Sequence, residues 1–304
     1  MGSSKVPSVQ ELCEQLKLNR YVAGDEVATA LHLSMKLEKP LIIEGAAGCG
    51  KTELAKVLGE ILDADVIRLQ CYEGLDANSA IFEWDYMRQL LAIRMRESKV
   101  DAKELEHEIF SQHYLLERPL LKALLHKGER PPVLLIDELD RADEEFEGFL
   151  LEFLAEFQVT VPEIGTLHAL HKPYVIISSN RTREIGDGIK RRCLYLYITY
   201  PDFERELQIV RLKVPELDAA LSREVVGFVQ NIRRRDDLQR RPGVSETLDW
   251  ANALQALGSQ KLDVNAVSST WSCLIKDADD KRIFTKELIG ELLSSKPEGR
   301  GNEH

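Results

Sequence analysis

No apolar run in the sequence approaches the roughly twenty residues that span a bilayer, so stable membrane insertion is not expected. Behind Met1-Gly2-Ser3-Ser4-Lys5-Val6-Pro7 there is no apolar signal-peptide core, and a cytoplasmic location is the expectation. Paired cysteines are missing too. Cys13, Cys49, Cys71, Cys193 and Cys273 are scattered and odd in number, which fits reduced thiols better than a disulfide framework. A metal-ligand cluster is lacking: His168 and His171 form a pair, but no third or fourth ligand stands at a suitable spacing. Basic charge is in deficit. Against 51 Asp and Glu there are 40 Lys and Arg, a net charge of −11. A duplex nucleic-acid binder carries a basic footprint, because phosphate neutralisation drives its affinity. Nucleic acid is therefore not expected as the main partner.

What is present suits a globular chain. With 304 residues, 44% apolar and 30% charged, it can bury a core in one large or two modest domains. Short apolar runs alternate with longer helical patterns. Leu41–Glu44, Asp65–Leu69, Val133–Ile136, Tyr174–Ser178 and Leu194–Ile198 are the runs, and their continuity predicts buried parallel strands separated by helices. That describes a doubly wound α/β domain. After Pro201 only helical periods remain, at Glu204–Leu212, Ser222–Arg233, Val244–Leu257 and Lys286–Leu293. The expected division is an α/β core over 1–201, an all-α lid over 202–293, and a polar disordered tail over 294–304. No internal repeat is visible.

Gly45-Ala46-Ala47-Gly48-Cys49-Gly50-Lys51-Thr52 satisfies G-x-x-x-x-G-K-[ST], between an apolar strand and a helix that begins at Glu53. Glycines let the backbone curl so that several N–H groups face one anion, and the helix N-terminus adds positive potential. Lys51 would meet the β- and γ-phosphates of ATP, and the Thr52 hydroxyl would complete the shell of Mg²⁺. Cys49 either sensitises the loop to oxidation or simply fills space. The strand Val133–Ile136 delivers Asp137, which can orient Mg²⁺ through water, and Glu138, which can take a proton from attacking water. The next strand ends in Ser178-Ser179-Asn180, at the edge of a parallel sheet that faces ligand. Asn180 there either forms a turn or holds the hydrolytic water. Arg191 and Arg192 precede the last strand, as solvated charges or as donors to a neighbouring subunit's nucleotide.

In this order, the phosphate loop, acidic strand end, polar sensor, arginine and helical lid resemble an AAA+ ATPase. The resemblance covers about residues 15–293. It is closest to the MoxR branch, and within it to CoxD-type proteins, on Leu139-Asp140-Arg141-Ala142, Gln158–Pro173 and Arg191-Arg192-Cys193-Leu194. The resemblance implies a P-loop NTPase sheet sandwiched by helices and followed by the lid. It implies Lys51 and Thr52 on phosphate and Mg²⁺, Asp137 on Mg²⁺, Glu138 as base, Asn180 as sensor, and Arg192 rather than Arg191 as arginine finger. Tyr21 and Val22 fall where the superfamily packs adenine. Many relatives carry a second-sensor arginine after a proline at the start of a lid helix. Here Pro242-Gly243-Val244-Ser245-Glu246 offers Glu246, leaving Arg240 or Arg241 as substitutes.

The family also implies a homo-oligomer, a hexamer for choice, that remodels a protein client. For CoxD-type members that client is a molybdenum-containing hydroxylase, often beside a partner with a von Willebrand A domain. Rival expectations are a nucleic-acid motor or loader, a monomeric P-loop kinase and a nucleotide-gated binding module. Two segments are long for simple connections. Cys71–Arg88 carries Tyr72, Phe82, Trp84 and Tyr86, and Gln158–Leu167 alternates around a turn as a β-hairpin would. Both are expected to face the client.

Overall fold

The computed structural model describes residues 6–96 and 102–295. Its strands are β1 (Leu41–Gly45), β2 (Val66–Gln70), β3 (Phe82–Trp84), β4 (Leu115–Glu117), β5 (Val133–Asp137), β6 (Gln158–Val161), β7 (Gly165–His168), β8 (Tyr174–Ser179) and β9 (Leu194–Ile198). Five of them form one parallel sheet in the order β2-β5-β8-β1-β9, flanked by helices. The five apolar runs of the sequence are these five strands. Burial grades across the sheet. In β1 and β5 every residue is buried, whereas the edge strand β2 alternates exposed and buried, and the other edge, β9, buries only Leu196. A central strand is covered on both faces; an edge strand meets water.

Two compact units make up the chain. The first holds the described residues up to Gln15, then Gly24–Glu44 and Thr52–Tyr197. Its core joins Ile42, Leu134, Ile136, Val175 and Ile177 of the sheet to helix side chains. Helix Glu144–Glu156 shows why it forms: Phe146, Leu150, Phe153 and Leu154 recur at helical spacing and are buried, and Glu144, Glu145 and Glu147 sit in the first turn, where the helix dipole favours acids. The second unit holds Leu16–Ala23, Gly45–Lys51 and the described residues from Ile198 onward. Its helices include Phe203–Lys213, Ala219–Arg233, Val244–Ala256 and Lys286–Ser294, packed around Leu207, Val225, Val229, Trp250, Leu254 and Ile289. Helices at Val264–Thr270 and Ala278–Ile283 had no counterpart in the sequence expectation. Ser294, expected in a disordered tail, closes a helix; 296–304 lie outside the described residues.

β6 and β7 pair antiparallel from Gln158↔His168 to Val161↔Gly165, the expected hairpin. The aromatic segment is different. β3 pairs antiparallel with β4, and Trp84 is 8% exposed, edge-on to Phe82 and Phe110. Trp84 is thus a core residue, not an exposed contact. The helix that follows, Tyr86–Arg96, is inverted. Gln89 is buried, donating to Ile109 O at 2.7 Å, while Tyr86, Met87, Leu90, Leu91 and Met95 are exposed.

Candidate functional site

In a parallel sheet the C-terminal strand ends share one edge, and the register brings particular residues side by side there. Gln70 of β2 pairs with Asp137 of β5, and Glu44 of β1 pairs with Ser179 of β8. Asp137, with a side chain 2% exposed, accepts from Thr52 Oγ1 at 3.0 Å and from Ser178 Oγ at 2.5 Å on Oδ1. Arg68 Nε and Nη2 reach its Oδ2 at 2.9 and 2.6 Å. Three neighbours therefore fix a buried carboxylate, as a charge out of water requires.

Glu138 turns the chain sharply. Its φ is +57°, left-handed and uncommon outside glycine, and its N–H donates to Ser178 Oγ at 2.8 Å. Backbone strain of this kind costs about 1–3 kcal/mol and concentrates at functional sites. The Glu138 carboxylate accepts from Asn180 Nδ2 at 3.0 Å on Oε1 and from Gln70 Nε2 at 3.1 Å on Oε2. Arg141 Nε lies 3.0 Å from Oε2. Thr52, Asp137, Glu138 and Asn180, four residues singled out in the sequence, thus belong to one hydrogen-bonded cluster in the first unit.

Asp140 anchors the loop that follows β8. It is 3% exposed and accepts from Asn180 N at 3.1 Å, Thr182 N at 2.9 Å and Thr182 Oγ1 at 2.6 Å. Glu147 continues the clamp, accepting from Gly186 N at 2.8 Å and pairing with Arg183. Arg192 ends the short helix Asp187–Arg192, is exposed, and donates to Leu151 O. It lines a cavity of about 510 Å³ with Phe149, Leu151, Glu152, Gln158 and Thr160. Sequence reasoning missed Arg68, Gln70, Ser178 and Asp140 as partners of these acids. Alternation along β2 was the available signal for Arg68 and Gln70, which share a face.

Gly45–Lys51 of the glycine-rich segment belong to the second unit. Gly48 and Gly50 have φ of +74° and +96°, which side chains rarely adopt. Lys51 Nζ donates to Gly45 O at 2.8 Å and Ala46 O at 2.7 Å, so the ammonium is folded into its own loop. Cys49 is buried beside it, and desolvation raises its thiol pKa against the opposing pull of Lys51. Tyr21 OH donates to Gly50 O at 3.4 Å, and Val22 O accepts from Arg205 at 3.5 Å. The start of helix Val244–Ala256 docks on the loop: Val244 N donates to Gly48 O at 2.9 Å. A Cβ on Gly48 would lie 2.5 Å from Ser245 Oγ. Glu246 spends its Oε2 on Gly243 N at 2.9 Å and Ser245 Oγ at 3.0 Å. Arg241 pairs with Asp236 at 2.8 Å, and Arg240 offers its backbone N–H to Asp280.

Among the described residues no helix is long and apolar enough to cross a membrane. Residues 40–193 match the family described as AAA domain (dynein-related subfamily). An uncharacterized protein of Staphylococcus aureus (strain bovine RF122 / ET3-1) is 22% identical over 208 residues, which is 65% of this chain and 69% of that protein. The gas vesicle ATPase GvpN of Haloferax mediterranei is 24% identical over 225 residues, 71% of this chain and 62% of GvpN. A solved structure of the Thermotoga maritima RuvB Holliday junction branch migration motor aligns with a TM-score of 0.46 and 14% identity, over 88% of this chain and 71% of that one. With half of its length matched by the family, this chain belongs to the AAA domain proteins of the dynein-related subfamily.

Proposed function

We propose that the chain hydrolyses ATP to ADP and phosphate, with Mg²⁺, to drive chaperone-like remodelling of a protein client. The observation that carries this is the hold on Glu138: its carboxylate rests between Asn180 Nδ2 and Gln70 Nε2, one residue beyond a carboxylate bonded to Thr52. A base that takes a proton from water needs such fixed orientation. Lys51 and the loop N–H groups bind the phosphates, and Tyr21 and Val22 border the adenine. The donor set fits Mg²⁺, since a hydroxyl and a carboxylate are hard oxygen ligands. Thr52 and Asp137 would hold the ion, which when bound neutralises charge on the phosphates. Asn180 aligns the attacking water, and Glu138 accepts its proton. Arg240 or Arg241 would serve as the lid sensor. Residues 1–201 act as the ATPase core and 202–293 as its lid.

The finer assignment rests on the resemblance to MoxR-branch and CoxD-type proteins. It makes the chain a cytoplasmic homo-oligomer, a hexamer, in which Arg192 completes a neighbour's site. Its client would be a molybdenum-containing hydroxylase, aided by a von Willebrand A domain partner. The exposed face of helix Tyr86–Arg96 supports a protein client: five large apolar side chains stand beside Arg88 and Arg94, and the helix sequence carries no acid. Such a face suits an apolar segment bearing acidic residues. The test mixes two inactive variants. Arg192→Ala should bind ATP without turning it over, and adding Glu138→Gln should restore activity, because a mixed interface pairs an intact base with an intact finger. No recovery under proven subunit exchange refutes the arrangement.

A further inference from the structure

Asp137 is the most enclosed acid of the cluster, and one of its partners has no place in the chemistry above. Oδ1 is served by two neutral hydroxyls, Thr52 Oγ1 at 3.0 Å and Ser178 Oγ at 2.5 Å. Oδ2 takes a two-pronged contact from a full cation, Arg68 Nε at 2.9 Å and Nη2 at 2.6 Å. The two side chains differ sharply in exposure: 52% for Arg68 and 2% for Asp137. The guanidinium can swing into water; the carboxylate cannot.

A buried carboxylate stripped of the cation paired with it is costly, so whatever displaces Arg68 must bring positive charge of its own. We infer that Arg68 is a counter-ion that holds Asp137 and yields it when Mg²⁺ binds. This rests on Asp137 being the Mg²⁺ carboxylate. Arg68 and Gln70 stand two residues apart on β2, on one face, in register with Leu135 and Asp137. Arg68 Nη2 also donates to Gln70 Oε1, and Gln70 Nε2 donates to Glu138 Oε2 at 3.1 Å. The same exchange of cations lowers the protein's affinity for Mg²⁺, because Arg68 competes for Oδ2.

The experiment titrates Mg²⁺ against the full-length protein and a fluorescent, non-hydrolysable ATP analogue, reading binding rather than turnover. Arg68→Gln should lower the free Mg²⁺ at half-saturation by about fivefold or more, the usual floor for coupling between two binding events. Arg68→Lys keeps the charge but loses the two-pronged grip, and should fall between Arg68→Gln and wild type. Asp137→Asn should raise the Mg²⁺ requirement. An unchanged or raised requirement in Arg68→Gln, with Asp137→Asn behaving as expected, overturns the competition alone. If Asp137→Asn leaves the Mg²⁺ dependence untouched, the metal assignment itself fails. Should Arg68→Gln not fold, Arg68→Lys decides: a requirement below wild type supports the inference, and one at or above it refutes it.

Discussion

Asp140→Ala should loosen the loop after β8 without touching the glycine-rich segment Gly45–Thr52. The Asp140 carboxylate accepts three hydrogen bonds, from Asn180 N, Thr182 N and Thr182 Oγ1, at 3.1, 2.9 and 2.6 Å. Bonds to a charged acceptor contribute about 1.5–3 kcal/mol each. Three bonds sharing one acceptor are not independent, and the Asn180 and Thr182 donors are only partly buried, so water can replace some of what is lost. The expected destabilisation is about 2–4 kcal/mol for alanine, and about 1–2 kcal/mol for Asp140→Asn, which keeps one acceptor oxygen. Urea unfolding would measure it, as a lowered midpoint at unchanged slope. Because Asn180 Nδ2 donates to Glu138 Oε1, slackening its backbone also disturbs the proposed base. Turnover should fall by about tenfold or more, while nucleotide KM stays within about threefold. A loss of stability below about 0.5 kcal/mol in Asp140→Ala, or activity that falls only as the folded fraction falls, would refute the reasoning.

Arg233→Met should cost about 3–5 kcal/mol in chemical unfolding, because it leaves Glu206, 0% exposed, without the cation that meets it at 2.6 and 2.7 Å. Adding Glu206→Leu should recover part of that, and a single-variant cost under about 1 kcal/mol would contradict the pairing. Burial pushes the Cys71 and Cys193 thiols up to about 12 from an ordinary 9.0, so the unfolded chain ionises first and stability present below pH 9 drains away as pH rises toward 12. A Cys71→Val, Cys193→Val double variant should show a flatter decline over that window. Leu90→Glu with Leu91→Glu should abolish client stimulation while basal ATPase stays within about threefold, whereas Trp84→Ala should destabilise by about 3–5 kcal/mol because Trp84 is buried.

Much of the sheet was legible because its strands are continuous apolar runs, and the hairpin because Val159 and Val161 alternate with polar residues before Gly165. The phosphate loop and the strand-end acids announce themselves by spacing. What could not be read is non-local. Arg68 and Asp137 are 69 residues apart, and nothing between them predicts that strand pairing sets Gln70 beside Asp137. The aromatic segment was misjudged for the same reason. Trp84 looks superfluous in a loop until Phe110, in the turn after the later helix Ala102–Ile109, covers it. Helix Tyr86–Arg96 defeats periodicity outright, since the residue it buries is Gln89, satisfied by the Ile109 carbonyl, and the apolar face is left outside. Glu246, standing where many relatives carry a sensor arginine, caps its own helix by accepting from Gly243 N, while Val244 N donates to Gly48 O, contacts visible only once the loop and that helix share a unit.

The central claim is that this chain hydrolyses ATP with Glu138 as the base. Single-turnover hydrolysis and nucleotide binding, measured side by side on wild type and Glu138→Gln, test it most directly. An amide keeps the size and one acceptor oxygen but cannot take a proton from water. The account predicts that Glu138→Gln binds ATP within a few-fold of wild type and hydrolyses it about 10²–10⁴ times more slowly. Hydrolysis by Glu138→Gln at the wild-type rate would contradict it.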